Sequence, residues 1–331
     1  MNTSKNKINV GVIGVGHLGE HHVKHLKSIN SFKLIGIHDI NDKRATSIGK
    51  KYDISIYKNI NELIKKCEAI SLVTPTETHF DIAYKCIKAN KHIFIEKPIT
   101  KSIAEADRLI KSAQEKKIII QVGHIERFNP ALAPLNKYTL KPKYIEIQRL
   151  APYNVRGTDV PVVLDKMIHD LDILLFLVNS DIEKIYANGI SILTNSIDIA
   201  NSRIRFKNGT IANVTSSRVA QDDVRKIKIF QQDLYITIDL LIGLTEVYRI
   251  ISKKEKKIHA IKNVDFNYQG KKKHIIYEKP KLLSYDALKA ELINFADSIN
   301  GTAKPMVDGV AAKNALELAI NIDHMIRKDL H

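Results

Sequence analysis

Ile8-Asn-Val-Gly-Val-Ile13 is a short apolar run that stops at Gly14-Val-Gly16-His17-Leu18-Gly19, and Glu20 to Lys27 can begin a helix directly after it. Few folds tolerate three glycines at this spacing between a strand and a helix. Gly14 suits the tight turn, Gly16 lets a pyrophosphate approach the backbone, and Gly19 allows the helix to pack closely on the strand. An anion then rests on the free N–H groups of the helix N-terminus, where His17 and Leu18 also lie. A second apolar run, Lys33-Leu-Ile-Gly-Ile-His38, ends at Asp39, at the distance expected of the acid that binds an adenosine ribose 2′-hydroxyl. A carboxylate there repels a 2′-phosphate, so the expected cofactor is NAD rather than NADP.

The alternation of strand and helix continues. Helical stretches over 42–51, 60–66, 78–89 and 102–116 separate strands at 69–73, 92–96 and 118–123, which predicts a doubly wound parallel sheet. In such a sheet ligands bind outside the carboxyl ends of the strands. Thr74 and Pro75 follow one strand end, Glu96 and Lys97 another, and His79 begins the helix between them, so all five are cofactor candidates. Lys97 is also a candidate catalyst. Taken alone, Glu96 and Lys97 are equally readable as a solvated pair entering a turn, and His79 as a residue capping its own helix.

The second half reads differently. At 331 residues the chain exceeds one ordinary core and suits two domains, here divided as 1–123 and 124–331. Arg127 and Asn129 lie in the linker, where they could face a substrate or simply lead into a helix. The loop at 151–159 carries Arg156, able to pair with a phosphate or carboxylate. From Ile182 to Tyr277 the chain alternates as strands should, and Asn208-Gly209 marks a hairpin turn. An α+β domain with a large, mostly antiparallel sheet is expected, one face covered by helices and the other open. Helices over 283–300 and 309–328 close the chain. The exception is 163–178, predicted as a helix with Asp165, His169 and Asp172 on one stripe beside Leu164, Ile168, Leu171 and Leu175. A carboxylate one turn from an imidazole can hold its tautomer for proton transfer, although a surface Asp-His pair has the same spacing.

Composition excludes several classes. A formal charge of +16 could mark a nucleic-acid binder, but the lysines are scattered and no helix-turn-helix, zinc-finger or RNP-like pattern accompanies them. No run approaches the roughly 18 apolar residues of a membrane span, and Met1–Lys7 has no signal-peptide core. Cys67 and Cys86 lack metal-ligand spacing, and no metal is expected. A cytoplasmic protein follows.

These pieces resemble the glucose-fructose oxidoreductase and inositol dehydrogenase family (Gfo/Idh/MocA) over essentially the whole chain. The matching stretches are Val10–Gly19, Thr74-Pro75 with His79, Glu96-Lys-Pro98, and Asp165-Lys-Met-Ile-His169 with Asp172. The resemblance implies a lysine, Lys97, beside the nicotinamide ribose and the substrate hydroxyl. It likewise implies an acid/base histidine, His169, an aspartate that binds substrate, Asp165, and a homodimer or homotetramer paired through the C-terminal sheet. Met167 stands where the family commonly has glycine, which implies an altered cleft. The stretches 124–130 and 156–172 are similar to the branch that oxidises the 3-hydroxyl of UDP-N-acetylglucosamine, with Arg127, Asn129 and Arg156 as further substrate contacts. Runner-up activities are oxidation of a free polyol or sugar, or biliverdin-type reduction. A non-catalytic NAD-binding sensor is the rival from another class.

Overall fold

A computed structural model describes residues 7–154, 160–251, 262–268 and 271–330. The chain divides into two compact units, residues 1–128 with 285–316 and residues 129–284 with 317–331. The first unit starts β1 (Ile8–Ile13), α1 (His17–Ser28), β2 (Phe32–His38), α2 (Asp42–Tyr52) and α3 (Ile60–Lys66). It continues with β3 (Ala69–Leu72), α4 (His79–Lys88), β4 (His92–Glu96), α5 (Ile103–Glu115) and β5 (Ile120–Gly123). The five strands form a parallel sheet in the order β2-β1-β3-β4-β5. A single parallel bridge between Ile37 and Ile56 extends the β2 edge. Asn41, Asn59 and Ser102 cap α2, α3 and α5 with side-chain oxygens, whereas α1 begins at Gly16 without a side-chain cap. The N–H groups at its start are therefore left for a ligand.

The second unit holds β6 (Tyr144–Leu150), a π-helical turn at Val163–Met167 running into α6 (Ile168–Val178), β7 (Ile182–Ile190), β8 (Ile199–Phe206) and β9 (Ile211–Ser217). Then follow β10 (Val224–Gln231), β11 (Leu234–Asp239), β12 (Leu244–Ile251), β13 (Lys262–Tyr268) and β14 (Lys271–Glu278). They form a nine-stranded sheet, β13-β14-β12-β11-β10-β6-β9-β8-β7, antiparallel throughout except for β6 beside β9. The hairpin between β8 and β9 turns at Gly209, φ +84°, as Asn208-Gly209 predicts. Ile145, Ile147, Ala212, Val214, Ile227, Ile229, Ile236 and Ile238 are buried on one face, and their neighbours along each strand are not.

The helices α7 (Ala287–Ile299) and α8 (Gly309–Asp329) complete the fold. A single cut at 123/124 does not describe it. Leu288, Leu292, Phe295 and Ala296 of α7 fill the core of the first unit together with Val10, Val12, Leu26, Phe32 and Phe94. The Phe295 ring lies 5.9 Å from Phe94 and 6.3 Å from Phe32. The apolar stripe of α7 covers a face of the parallel sheet, and each such side chain contributes roughly 1.5–3 kcal/mol by leaving water. That burial returns the segment to a sheet completed more than 160 residues earlier.

Candidate active site

The glycine loop is packed where it must be and open where a ligand needs room. Gly14 has φ +86°, and a Cβ on it would meet the Val73 carbonyl oxygen at 2.4 Å; a Cβ on Gly19 would lie 2.0 Å from the Gly14 oxygen. A Cβ on Gly16 would meet nothing within 4 Å. Gly16, His17 and Leu18 are exposed. Beside the loop, Asp39 accepts the Val15 N–H at 2.7 Å through one oxygen and the Asn41 N–H at 2.8 Å through the other, which fixes the carboxylate plane. An open glycine at an uncapped helix start and a preoriented acid at the next strand end fit the pyrophosphate and ribose of NAD. Gly14, Gly16, His17, Leu18, Gly19 and Asp39 would hold it.

Three other cofactor candidates, His79, Thr74 and Glu96, have protein partners. His79 is buried, and its ring nitrogens face the Pro98 carbonyl at 2.9 Å and the Thr74 carbonyl at 2.8 Å. It ties together the two strand-end loops rather than capping its own helix. Thr74 in turn accepts the Thr78 hydroxyl at 2.8 Å, and Pro75 opens the short 3-10 turn before α4. Glu96 meets a histidine not among the sequence candidates: His22 of α1 bridges Glu96 Oε1 through Nε2 at 3.0 Å and the Ser71 hydroxyl through Nδ1 at 2.9 Å. The signal was present, since His22 falls on the α1 stripe with Gly19, Val23 and Leu26, all buried. Gly123 leaves the space that Glu96 occupies, for a Cβ there would lie 2.7 Å from its oxygen. Lys97 follows Glu96, half-buried, and precedes a cis peptide to Pro98.

His124 is wholly enclosed, and burial, followed by the positive charges of Lys97 and Arg127, pushes its pKa down to about 3. A neutral imidazole therefore sits near the Lys97 ammonium at any working pH. Cys67 and Cys86 are buried, and burial raises both thiols to about 12, so neither is a nucleophile.

In the second unit the stretch carrying Asp165 and His169 is not a plain α-helix. Ile168 N–H reaches back to the Val163 oxygen, closing a π turn over Val163–Met167, and regular α-helix begins only at Ile168. The wider turn shifts the phase between Asp165 and the residues after it. Asp172 is buried at 3% exposure while Leu164 and Leu175 are part-exposed, so the expected division into polar and apolar stripes does not hold. Met167 is wholly buried and packs inward. Asp165 lies 3.8 Å from the Lys166 ammonium, and His169 is half-buried. Beneath them Arg149 of β6 holds Asp170 in a buried bidentate pair, 2.8 and 2.9 Å, which anchors α6 on the sheet next to His169.

Arg127 donates to the Met306 carbonyl at 3.2 Å. Asn129 donates to the Leu240 carbonyl at 3.0 Å and caps the Pro130–Lys137 3-10 segment through Ala131 N–H. Arg156 falls in 155–159, outside the described residues. No group of three or more histidine, cysteine or acidic side chains that could hold a metal occurs among the described residues.

Residues 8–124 match the oxidoreductase family with an NAD-binding Rossmann fold, GFO_IDH_MocA, and residues 152–236 match the GFO/IDH/MocA C-terminal domain. The chain belongs to this oxidoreductase family. It is 34% identical to UDP-N-acetylglucosamine 3-dehydrogenase of Acidithiobacillus ferrooxidans over 94% of its own length and 95% of that protein's. The solved structure of that enzyme covers 98% of this chain and 100% of its own, at 33% identity and a TM-score of 0.87. A myo-inositol 2-dehydrogenase from Thermotoga maritima is 29% identical over 64% of this chain and 69% of its own. This Gfo/Idh/MocA member is thus an NAD-binding dehydrogenase with a parallel nucleotide-binding sheet and a mostly antiparallel second sheet. No helix among its described residues is long and apolar enough to cross a membrane.

Proposed function

We propose that this oxidoreductase removes hydride from the 3-hydroxyl carbon of UDP-N-acetylglucosamine. The likeness over almost the whole length of both chains to an enzyme named for that reaction carries the reading. NAD, when bound, accepts the hydride. His169 takes the hydroxyl proton, Asp165 orients substrate and imidazole, and the Lys97 ammonium stabilises the negative charge that develops on the oxygen. The balance is one alcohol and NAD giving a ketone, NADH and a proton. Arg127, Asn129 and Arg156 are proposed substrate contacts; Thr74, Pro75, His79 and Glu96 line or support the cofactor side. The free buried thiols accord with a reducing compartment, and we place the enzyme in the cytoplasm.

Assembly as a homodimer or homotetramer is part of the same reading. The uncovered face of the nine-stranded sheet carries an unbroken row of directly paired aromatics, Tyr144, Phe230, Tyr235, Tyr248 and Tyr277. Their ring centroids are 4.5–5.7 Å apart. A row this apolar on a half-exposed face supports pairing with a second copy.

The test is NADH absorbance with purified protein, NAD and a panel of UDP-hexoses, free sugars and inositols. Turnover with UDP-N-acetylglucosamine and not with the free polyols is the expected result. Turnover confined to inositols would replace the substrate, and silence throughout with NAD bound would favour the sensor.

A further inference from the structure

Asp39 is not the only charged side chain attached to the glycine loop. Arg44, near the start of α2, donates from Nε to the Val15 oxygen at 2.8 Å and from Nη2 to the Gly16 oxygen at 3.2 Å. Asp39 and Arg44 thus grip the same residue, Val15, one by its N–H and the other by its carbonyl. A guanidinium this close to the ribose-binding acid is the group that accommodates the 2′-phosphate in NADP-binding relatives of the fold. By that criterion the chain carries one element of each cofactor's recognition.

The conflict is resolved by a third residue. Glu20, in the first turn of α1, accepts Arg44 Nη2 on Oε2 at 2.7 Å, and Lys51 Nζ at 2.7 Å and the Tyr52 hydroxyl at 3.3 Å on Oε1. Hydrogen bonds from Lys51 and Arg44 hold this carboxyl down at about 2, so it stays charged at every working pH. One carboxylate therefore occupies both cations beside the adenosine end of the loop. We infer that Glu20 is a specificity-determining residue, which sequesters Arg44 from a 2′-phosphate and completes the selection for NAD that Asp39 begins. Asp39 repels the phosphate, and Glu20 withholds the counter-charge that would reward it. Relaxing Asp39 alone leaves the second barrier in place.

The test reads binding, so it does not depend on which sugar is the substrate. Full-length protein is titrated by calorimetry with ADP-ribose and with its 2′-phosphorylated form, and the ratio of the two Kd values is followed. Asp39→Ser lowers the preference for ADP-ribose. Adding Glu20→Gln tightens the phosphorylated ligand by a further factor of about ten relative to ADP-ribose, and adding Arg44→Gln to that pair abolishes the gain. An unchanged ratio on adding Glu20→Gln overturns the inference. So does a gain that survives loss of Arg44, since the benefit then comes from Lys51 or from net charge. If Glu20→Gln proves too unstable to titrate, Asp39→Ser with Arg44→Gln decides. Sequestration predicts less than a twofold change in 2′-phosphate affinity on losing Arg44, and a large drop means that Arg44 was available all along.

Discussion

All four residues of β3 and all four of β5 are buried, whereas β6 alternates buried and half-buried residues along its whole length. The parallel sheet spends both faces on packing against helices, α7 included. It has no face left for recognition, and its candidate groups lie at the strand ends: the glycine loop after β1, Asp39 after β2, Thr74 after β3 and Lys97 after β4. The antiparallel sheet spends one face on its core and keeps the other. Its candidate groups, Asp165 and His169, lie on the π turn and helix that cover the closed face, and the open face carries the aromatic row. Where a sheet is buried therefore determines whether its ends or its surfaces can act.

The strongest way to test this contrast is to remove one group from each region. Lys97→Ala, at a strand end, and His169→Ala, on the covering helix, are each expected to lower kcat by about 10²–10⁴-fold. NAD affinity measured by fluorescence stays near the wild-type value; wild-type turnover in either variant would remove that residue from the chemistry. Next in size is the anchor under α6. Arg149→Ala leaves Asp170 buried without its bidentate partner and is expected to cost about 3–5 kcal/mol in denaturant unfolding. Phe295→Ala opens a cavity against Phe94 and Phe32 and is expected to cost a similar 3–5 kcal/mol. A loss below about 1 kcal/mol there would mean that α7 is not part of the first unit's core.

The acid response separates the units further. His124 binds its proton only near pH 3 when folded and near its ordinary value when unfolded, so the unfolded chain holds the extra proton between those values. Its contribution is full above about pH 6.5 and shrinks as pH falls toward 3, with a slope of about 1.4 kcal/mol per pH unit. His124→Gln is expected to flatten that slope in urea titrations run across the window. The smallest effect on the monomer belongs to the open face. Tyr248→Glu places a charge within the aromatic row and is expected to dissociate the proposed dimer or tetramer in light-scattering measurements. Unfolding of the isolated subunit should shift by less than about 1 kcal/mol, since the site is half-exposed. An oligomer that survives this change pairs through some other surface.

Much of both regions was readable from local pattern. The strand-glycine-helix order, Asp39 at its distance, the Asn208-Gly209 hairpin and the alternation of β6 to β12 depend on neighbours a few residues apart. Periodicity and turn chemistry act at that range. Even His22 left a trace, as a histidine on an apolar helix stripe. Its partners left none: Glu96 lies 74 residues away and Ser71 lies 49. Arg149 and Asp170 could not be matched from spacing either, because a buried charge takes whichever opposite charge the packing brings to it. The π turn escaped for a related reason. Val163–Met167 has ordinary helix-forming residues, and the wider turn lets Met167 and Ile168 both point inward while Arg149 holds the next turn.

The order of residues was thus sufficient for the kind of most elements, the π turn excepted, and for placing the glycine loop and Asp39 on one edge of the parallel sheet. Those properties follow from backbone sterics and from charges adjacent in the chain. The return of α7 to the first sheet, the partner given to Glu96 and the capture of Arg44 by Glu20 emerged only on folding. Each depends on which surfaces lose water together, and that is a property of the packed chain rather than of any stretch within it.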